Sequence, residues 1–99
     1  MSAGRPIRVL VVDDSALVRR TVSDVIAADP ELEVAGTAVN GRDALEQVIQ
    51  LDPDVISLDL NMPVMDGMTC LRQLVRDLKQ RVVVLSTLAL ADSFATFRA

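Results

Sequence analysis

Residues 7–14 read Ile-Arg-Val-Leu-Val-Val-Asp-Asp: six residues, apolar apart from Arg8, that run straight into two acids. A continuous apolar run of this length predicts a parallel strand covered on both faces, where a half-exposed strand would alternate apolar and polar residues. Further along, residues 55–59 repeat the pattern as Val-Ile-Ser-Leu-Asp, so Asp59 leaves an apolar run just as Asp13 and Asp14 do. Leu60-Asn61-Met62-Pro63-Val64-Met65-Asp66-Gly67 follows.

Between and beyond these two runs, apolar stretches alternate with amphipathic ones. Residues 15–28 predict a helix in which Val18, Val22, Val25 and Ile26 recur at helical spacing. Asp14 or Ser15 caps its start, and Asp29-Pro30 ends it, because proline disfavours the helical conformation in its predecessor. Residues 32–38 read as a less apolar strand suited to a sheet edge, and Asn40-Gly41 as a turn. A second helix is expected over 42–50 with Leu45, Val48 and Ile49 facing inward. Asp52-Pro53 then leads into the strand 55–58. Residues 68–78 predict a third helix, 82–85 a fourth strand and 91–98 a short final helix. Strand-helix alternation with short links implies an α/β fold, a doubly wound parallel sheet with right-handed crossovers. Ligands of such sheets bind beyond the carboxyl ends of the strands, where strand order reverses. With the first and third strands as the central pair, Asp13, Asp14 and Asp59 meet at that point.

The 99 residues allow a single domain, 1–99, and the 51% hydrophobic content is enough for a core. Two aromatic residues, Phe94 and Phe97, make that core aliphatic. The formal charge of −4 argues against nucleic acid or an anionic membrane as partner, since either requires a basic patch. No run resembles an export signal or a membrane span; the acids at 13 and 14 cut the first apolar run short. Cys70 is the only cysteine, so no internal disulfide is possible and a reduced, cytoplasmic setting is expected. The chain has no histidine, which excludes Ser-His-Asp chemistry and histidine-based metal sites within it.

Three carboxylates in one crevice repel one another and favour protonation unless a cation joins them. An all-oxygen site open to water suits Mg2+, which takes few protein ligands and keeps several waters. With a metal neutralising an incoming phosphoryl group, a carboxylate oxygen can attack phosphorus and hold the group as an acyl phosphate. The backbone carbonyl of Asn61 could complete the metal shell. Ser86, at the end of the fourth strand, could donate a hydrogen bond to a phosphoryl oxygen. Each feature has a plainer reading when taken alone. Asp13-Asp14 is then a capped, solvated helix start, Asp59 a loop acid and Ser86 a strand-end turn serine. The three methionines at 62, 65 and 68 read as loop packing, Cys70 as an inert small hydrophobe, and Arg19-Arg20 as the solvated face of the first helix. Taken jointly, the acids on strands one and three favour function.

The stretches Arg8-Val-Leu-Val-Val-Asp-Asp-Ser-Ala-Leu-Val-Arg-Arg20, Asp54-Val-Ile-Ser-Leu-Asp-Leu-Asn-Met-Pro-Val-Met-Asp-Gly67 and Val82-Val-Val-Leu-Ser-Thr87 resemble a bacterial response-regulator receiver domain. Within that family they are most similar to the receivers of chemotaxis protein-glutamate methylesterases. The resemblance covers nearly the whole chain and implies a flavodoxin-like fold. It implies Asp59 as phosphoacceptor, Asp14 as a direct Mg2+ ligand, Asp13 as a direct or water-mediated one, the Asn61 carbonyl as a further ligand and Ser86 as the switch hydroxyl. The phosphoryl donor would be a phosphohistidine on a sensor histidine kinase.

The same resemblance implies a departure. A receiver continues to a fifth strand, bearing a lysine that pairs with the phosphoryl group, and then a fifth helix; the sequence here runs to Ala99. Lys79, the only lysine, precedes the fourth strand and does not match that residue. The expectation is a truncated receiver lacking the fifth βα unit and the methylesterase domain, hence no enzyme in its own right. Strand 82–85 would then be an exposed apolar edge, open to pairing with another chain. Each large aliphatic side chain left wet forfeits about 1.5–3 kcal/mol, against a net domain stability of about 5–15 kcal/mol. Self-association, strand exchange through 82–85, or repacking of residues 87–99 is therefore expected. Two other functions compete with the phosphoacceptor receiver. One is a non-phosphorylated interaction or dimerisation module. The other is an aspartyl-phosphate phosphatase, disfavoured because such enzymes carry a second acid two residues after the nucleophile, where this chain has Asn61.

Overall fold

The computed structural model describes residues 4–59 and 67–84. Four strands form one parallel sheet, β1 (Ile7–Val12), β2 (Leu32–Ala38), β3 (Val55–Leu58) and β4 (Val82–Val84), in the order β2-β1-β3-β4. Three helical stretches connect them: α1 (Ala16–Ala27), α2 (Gly41–Leu51) and α3 (Gly67–Arg72), the last continuing as a π-helical segment over Gln73–Asp77. This is the doubly wound parallel arrangement that the alternating pattern predicts and the flavodoxin-like fold that the resemblance implies, with β1 and β3 side by side at the centre and β2 at an edge. The short helix expected over 91–98 lies outside the described residues, as does Leu85 of the expected fourth strand.

The pleat of the sheet divides the core in two. Leu10 and Val12 of β1 and Ile56 and Leu58 of β3 point to one face, where they pack with Ala44 and Val48 of α2 and with Cys70 and Leu74. Val9 and Val11 point to the other face and pack against Ile26, with Val22 and Val55 alongside. This is why β1 shows no alternation in sequence: a strand covered on both faces needs apolar residues at every position.

Arg8, the one polar residue of β1, is accounted for by the end of α2. Its Nη1 donates to the carbonyls of Leu51 and Asp52 at 2.7 and 3.1 Å. A cation there satisfies carbonyls that the last helical turn leaves without partners and complements the helix dipole. Asp52 itself takes a left-handed conformation, φ 46°, that closes the helix. At the other end of α2, Asn40 is a cap whose side chain accepts from the Asp43 N–H at 2.8 Å, and Gly41 is the first helical residue, where a turn was expected.

β2 carries one residue more than β1 across their pairing: Val9 lies opposite Val34 and Leu10 opposite Gly36. Gly36 gives the Leu51 side chain room to approach: a Cβ there would lie 2.6 Å from Leu51 Cδ1, and that flexible methyl end would have to move aside.

The inward assignment of Ile49 is corrected, and Val25 of the apolar repeat of α1 also lies outward. Val25 is 69% exposed and Ile49 73% exposed. On the face covered by α1, the helix leaves an apolar groove of about 380 Å³ against the sheet, lined by Val22, Val25, Val55, Ser57 and Val83 among others. Ile49 sits next to buried Val48 on a helix whose inward stripe is narrow, Ala44 and Val48 with Gly41. At the sheet edge Val83 and Val84 remain exposed. Among the described residues, no helix is long and apolar enough to cross a membrane.

Candidate functional site

The site grows out of the same pleat. Along β1 the side chains of Val9 and Val11 share a face, and Asp13, two residues on, continues their row; along β3, Val55 and Ser57 lead to Asp59 in the same way. Val12 and Leu58 are register partners, so the next residue of each strand arrives at the same level. Two further backbone bonds hold the ends together: the Asp59 N–H donates to the Val12 carbonyl at 3.0 Å, and the Asp13 N–H to the Ala38 carbonyl at 3.1 Å. Asp13 and Asp59 are buried, whereas Asp14 is exposed. Carboxylate oxygens of all three lie within 4.8 Å of one another. The first and third strands thus bring together acids 45 or more positions apart in sequence, as their topology predicts.

The turn into α1 orients Asp13. Its Oδ1 accepts from the Ser15 N–H at 2.9 Å, and Ser15 Oγ accepts from the Val18 N–H at 3.3 Å, which makes Ser15 the helix cap. Burial pushes the Asp13 carboxyl above its usual range, the charges of Asp59 and Asp14 push it further, and the Ser15 N–H opposes them. At 4.8 Å and an effective dielectric of about 20, one carboxylate pair costs on the order of 3 kcal/mol. Such a cluster either takes up a proton or shares a cation. Its donors are all hard oxygens, and the exposed side at Asp14 leaves room for water, which fits Mg2+ better than a softer ion.

Arg19 departs from expectation. Instead of lying on the solvated face with Arg20, it is half-buried, and its Nη1 donates to the backbone carbonyl of Asp13 at 2.9 Å. One signal in the sequence could have revealed this. Arg19 stands four residues after Ser15, one helical turn past the cap, and helical side chains slant back toward the N-terminus. Asn61 and Ser86 lie outside the described residues. Cys70 is buried, with its thiol pushed up to about 11 by that burial, and it packs as the inert small hydrophobe expected.

A second cavity, of about 510 Å³, opens at the opposite end of the sheet, between Arg5, Pro6, Asp54 and Arg81. Arg5 and Asp54 already pair there at 3.1 Å, and Asp54 also accepts from the Arg8 N–H at 2.8 Å. Among the described residues, the group of three acids close enough to share a metal ion lies at the other end of the sheet, at Asp13, Asp14 and Asp59.

An open parallel sheet with an acidic crevice at its carboxyl edge, between the two central strands, defines a class. The chain belongs to the response regulator receiver domain family, which matches it over residues 9–99. Among curated proteins, it is 50% identical over 93 residues to a protein-glutamate methylesterase/protein-glutamine glutaminase of Photobacterium profundum, covering 94% of this chain and 24% of that protein. It is also 50% identical over 94 residues to the corresponding protein of Moorella thermoacetica, covering 95% of this chain and 22% of that protein. The chain therefore spans about a quarter of the length of the curated relatives it matches. Among solved structures, the response regulator domain of Thermotoga maritima CheB superposes with a TM-score of 0.82 at 39% identity, covering 95% of this chain and 72% of that one. A chain in the crystal structure of the P1 domain of CheA3 in complex with CheY6 from R. sphaeroides superposes with a TM-score of 0.77 at 36% identity, covering 97% of this chain and 75% of that one. The chain is thus a receiver of two-component signalling, similar to receivers of the chemotaxis branch.

Proposed function

We propose that this receiver accepts a phosphoryl group on Asp59, from a phosphohistidine of a sensor histidine kinase, with Mg2+ bound at the acidic cluster. The observation that carries the reading is the convergence of the Asp13, Asp14 and Asp59 carboxylates within 4.8 Å at the carboxyl ends of β1 and β3. An Asp59 oxygen attacks phosphorus, the bond from phosphorus to the donor imidazole breaks, and the departing nitrogen takes a proton, leaving an acyl phosphate on Asp59. Asp13 and Asp14 hold the metal with Asp59, and the resemblance assigns the Asn61 carbonyl to the same shell and Ser86 to the switch hydroxyl. When bound, the metal supplies positive charge that offsets the negative charge of the phosphoryl oxygens. Asp13, fixed by the Ser15 N–H, keeps its carboxylate turned toward Asp59.

Two comparisons support the partner and the ion. A similar structure holds the P1 domain of CheA3, and another, a CheX-CheY complex from Borrelia burgdorferi with a TM-score of 0.79 at 30% identity, contains BeF3 and Mg2+. The identity to protein-glutamate methylesterases supports chemotaxis as the setting, with the receiver serving regulation while the ester hydrolysis of those relatives belongs elsewhere in their length.

Intact-mass measurement after incubation with Mg2+ and a small phosphodonor tests the reading. The expected result is one phosphoryl adduct on the wild type and none on Asp59→Asn. Absence of an adduct together with absence of Mg2+ binding would leave a non-phosphorylated interaction module, and steady phosphate release under turnover would favour a phosphatase.

A further inference from the structure

Of the three clustered acids, two are held by the framework of the sheet. Asp59 is fixed through its N–H to Val12, and Asp13 through its N–H to Ala38 and its side chain to Ser15. Asp14 is exposed and lies past the end of β1, before the cap of α1. The peptide linking it to Asp13 is gripped by Arg19, whose Nη1 donates to the Asp13 carbonyl at 2.9 Å across six positions of sequence.

That guanidinium sits where helix electrostatics disfavour it. Arg19 lies in the first turn of α1, its own N–H bonded to the Ser15 carbonyl, and a cation at a helix N-terminus opposes the dipole. The hydrogen bond to Asp13 gives a reason for the placement. It turns the Asp13 carbonyl toward Arg19, fixes the plane of the Asp13–Asp14 peptide and so sets the point from which the Asp14 side chain departs. We infer that Arg19 is a positioning residue, which holds the Asp13–Asp14 peptide so that Asp14 meets Asp13 and Asp59 in a geometry fit for a divalent cation. The inference rests on the reading of the acidic cluster as a Mg2+ site.

Charge alone makes the opposite prediction, which gives the test its edge. Removing a cation that is bonded to the Asp13 carbonyl, at the edge of the acidic cluster, should by charge alone tighten Mg2+ binding by relieving repulsion. Removing a positioning bond should weaken it, as loss of outer-shell partners commonly does by roughly 10- to 100-fold. Calorimetric titration of the full chain with Mg2+ is compared for wild type, Arg19→Met, Arg19→Ala and Arg19→Lys. Methionine keeps an apolar stem but offers neither donor nor charge, so it guards against loss of packing in the alanine variant.

The expected result is an affinity roughly 10-fold or more weaker for Arg19→Met and Arg19→Ala, with most of it restored in Arg19→Lys. The Asp14 amide resonance should shift in Arg19→Met while those of Val11 and Val12 stay in place. Arg19→Met binding Mg2+ as tightly as the wild type, or more tightly, overturns the inference and leaves the site reading intact. A wild type that takes up no Mg2+ overturns both.

Discussion

The Asp59 N–H reaches across to the Val12 carbonyl at 3.0 Å, a rung of the β1–β3 ladder placed one residue beyond the end of β3. Through it, the candidate phosphoacceptor is tied to the residue that directly precedes Asp13. The separation of the two buried acids is thus governed by backbone pairing, which side-chain substitutions leave largely untouched. Chemistry at this edge can be altered while its geometry is kept.

Asp13→Asn should stabilise the protein when divalent cations are chelated at pH 7. The amide oxygen can still accept from the Ser15 N–H, while the buried charge and its repulsion by Asp59 and Asp14 disappear. Because the folded-state value of Asp13 lies above the ordinary 3.8, its favourable contribution is complete below 3.8 and is lost as pH rises through the raised value. The gain in thermal midpoint over wild type should therefore shrink as pH is lowered toward 4. A gain that persists unchanged into acid would refute this account.

Asp54 titrates with the opposite sign. The Arg8 N–H, then the Arg5 guanidinium, hold its carboxyl below the usual range. Its contribution is present above 3.8 and is lost as pH falls through the lowered value. Urea midpoints of Asp54→Asn should fall below those of wild type at pH 7, and the two curves should converge in acid. Equal midpoints at pH 7 would show that the pairing contributes nothing measurable.

Leu10 and Ile49 separate true core from apparent core. Leu10 is fully buried between β2 and β3, and Leu10→Ala should cost about 2–5 kcal/mol. Ile49→Ala, on the exposed face of α2, should stay within about 0.5 kcal/mol of wild type. Denaturant melts of the two variants decide it; similar losses in both would mean that Ile49 is covered in solution.

Cys70 should resist thiol reagents in the native state. The thiol is fully buried and pushed up to about 11, so little thiolate forms at neutral pH. Modification should proceed only as fast as the chain opens and should accelerate sharply in denaturant. Rapid labelling of native protein would contradict the burial.

What the sequence discloses follows the strength of each physical signal. β1 and β3 are legible because strands buried on both faces cannot hide their apolar runs, and the acids at 13, 14 and 59 are legible because each breaks such a run. Helical faces are less legible. Val25 and Ile49 sit beside residues that do point inward, Ile26 and Val48, and a 100° step per residue makes such neighbours hard to tell apart by spacing alone. The π-helical continuation over Gln73–Asp77 has no apolar period of its own to announce it. Arg19 is only weakly legible, because its partner is a backbone carbonyl and the one mark of the contact is its place a helical turn past the Ser15 cap.

The alternation of side chains along β1 links folding to the assembly of the acidic cluster. Leu10 and Val12 belong to one face and Val11 and Asp13 to the other, so a slip of one residue would bury the wrong row and carry Asp13 through the sheet, away from Asp59. Under the proposed function, a chain that has paired this strand incorrectly would be deaf to a phosphodonor. Quality control of the site is thereby built into the pairing of the strand, since only a β1 in the correct register can bring Asp13 to Asp59.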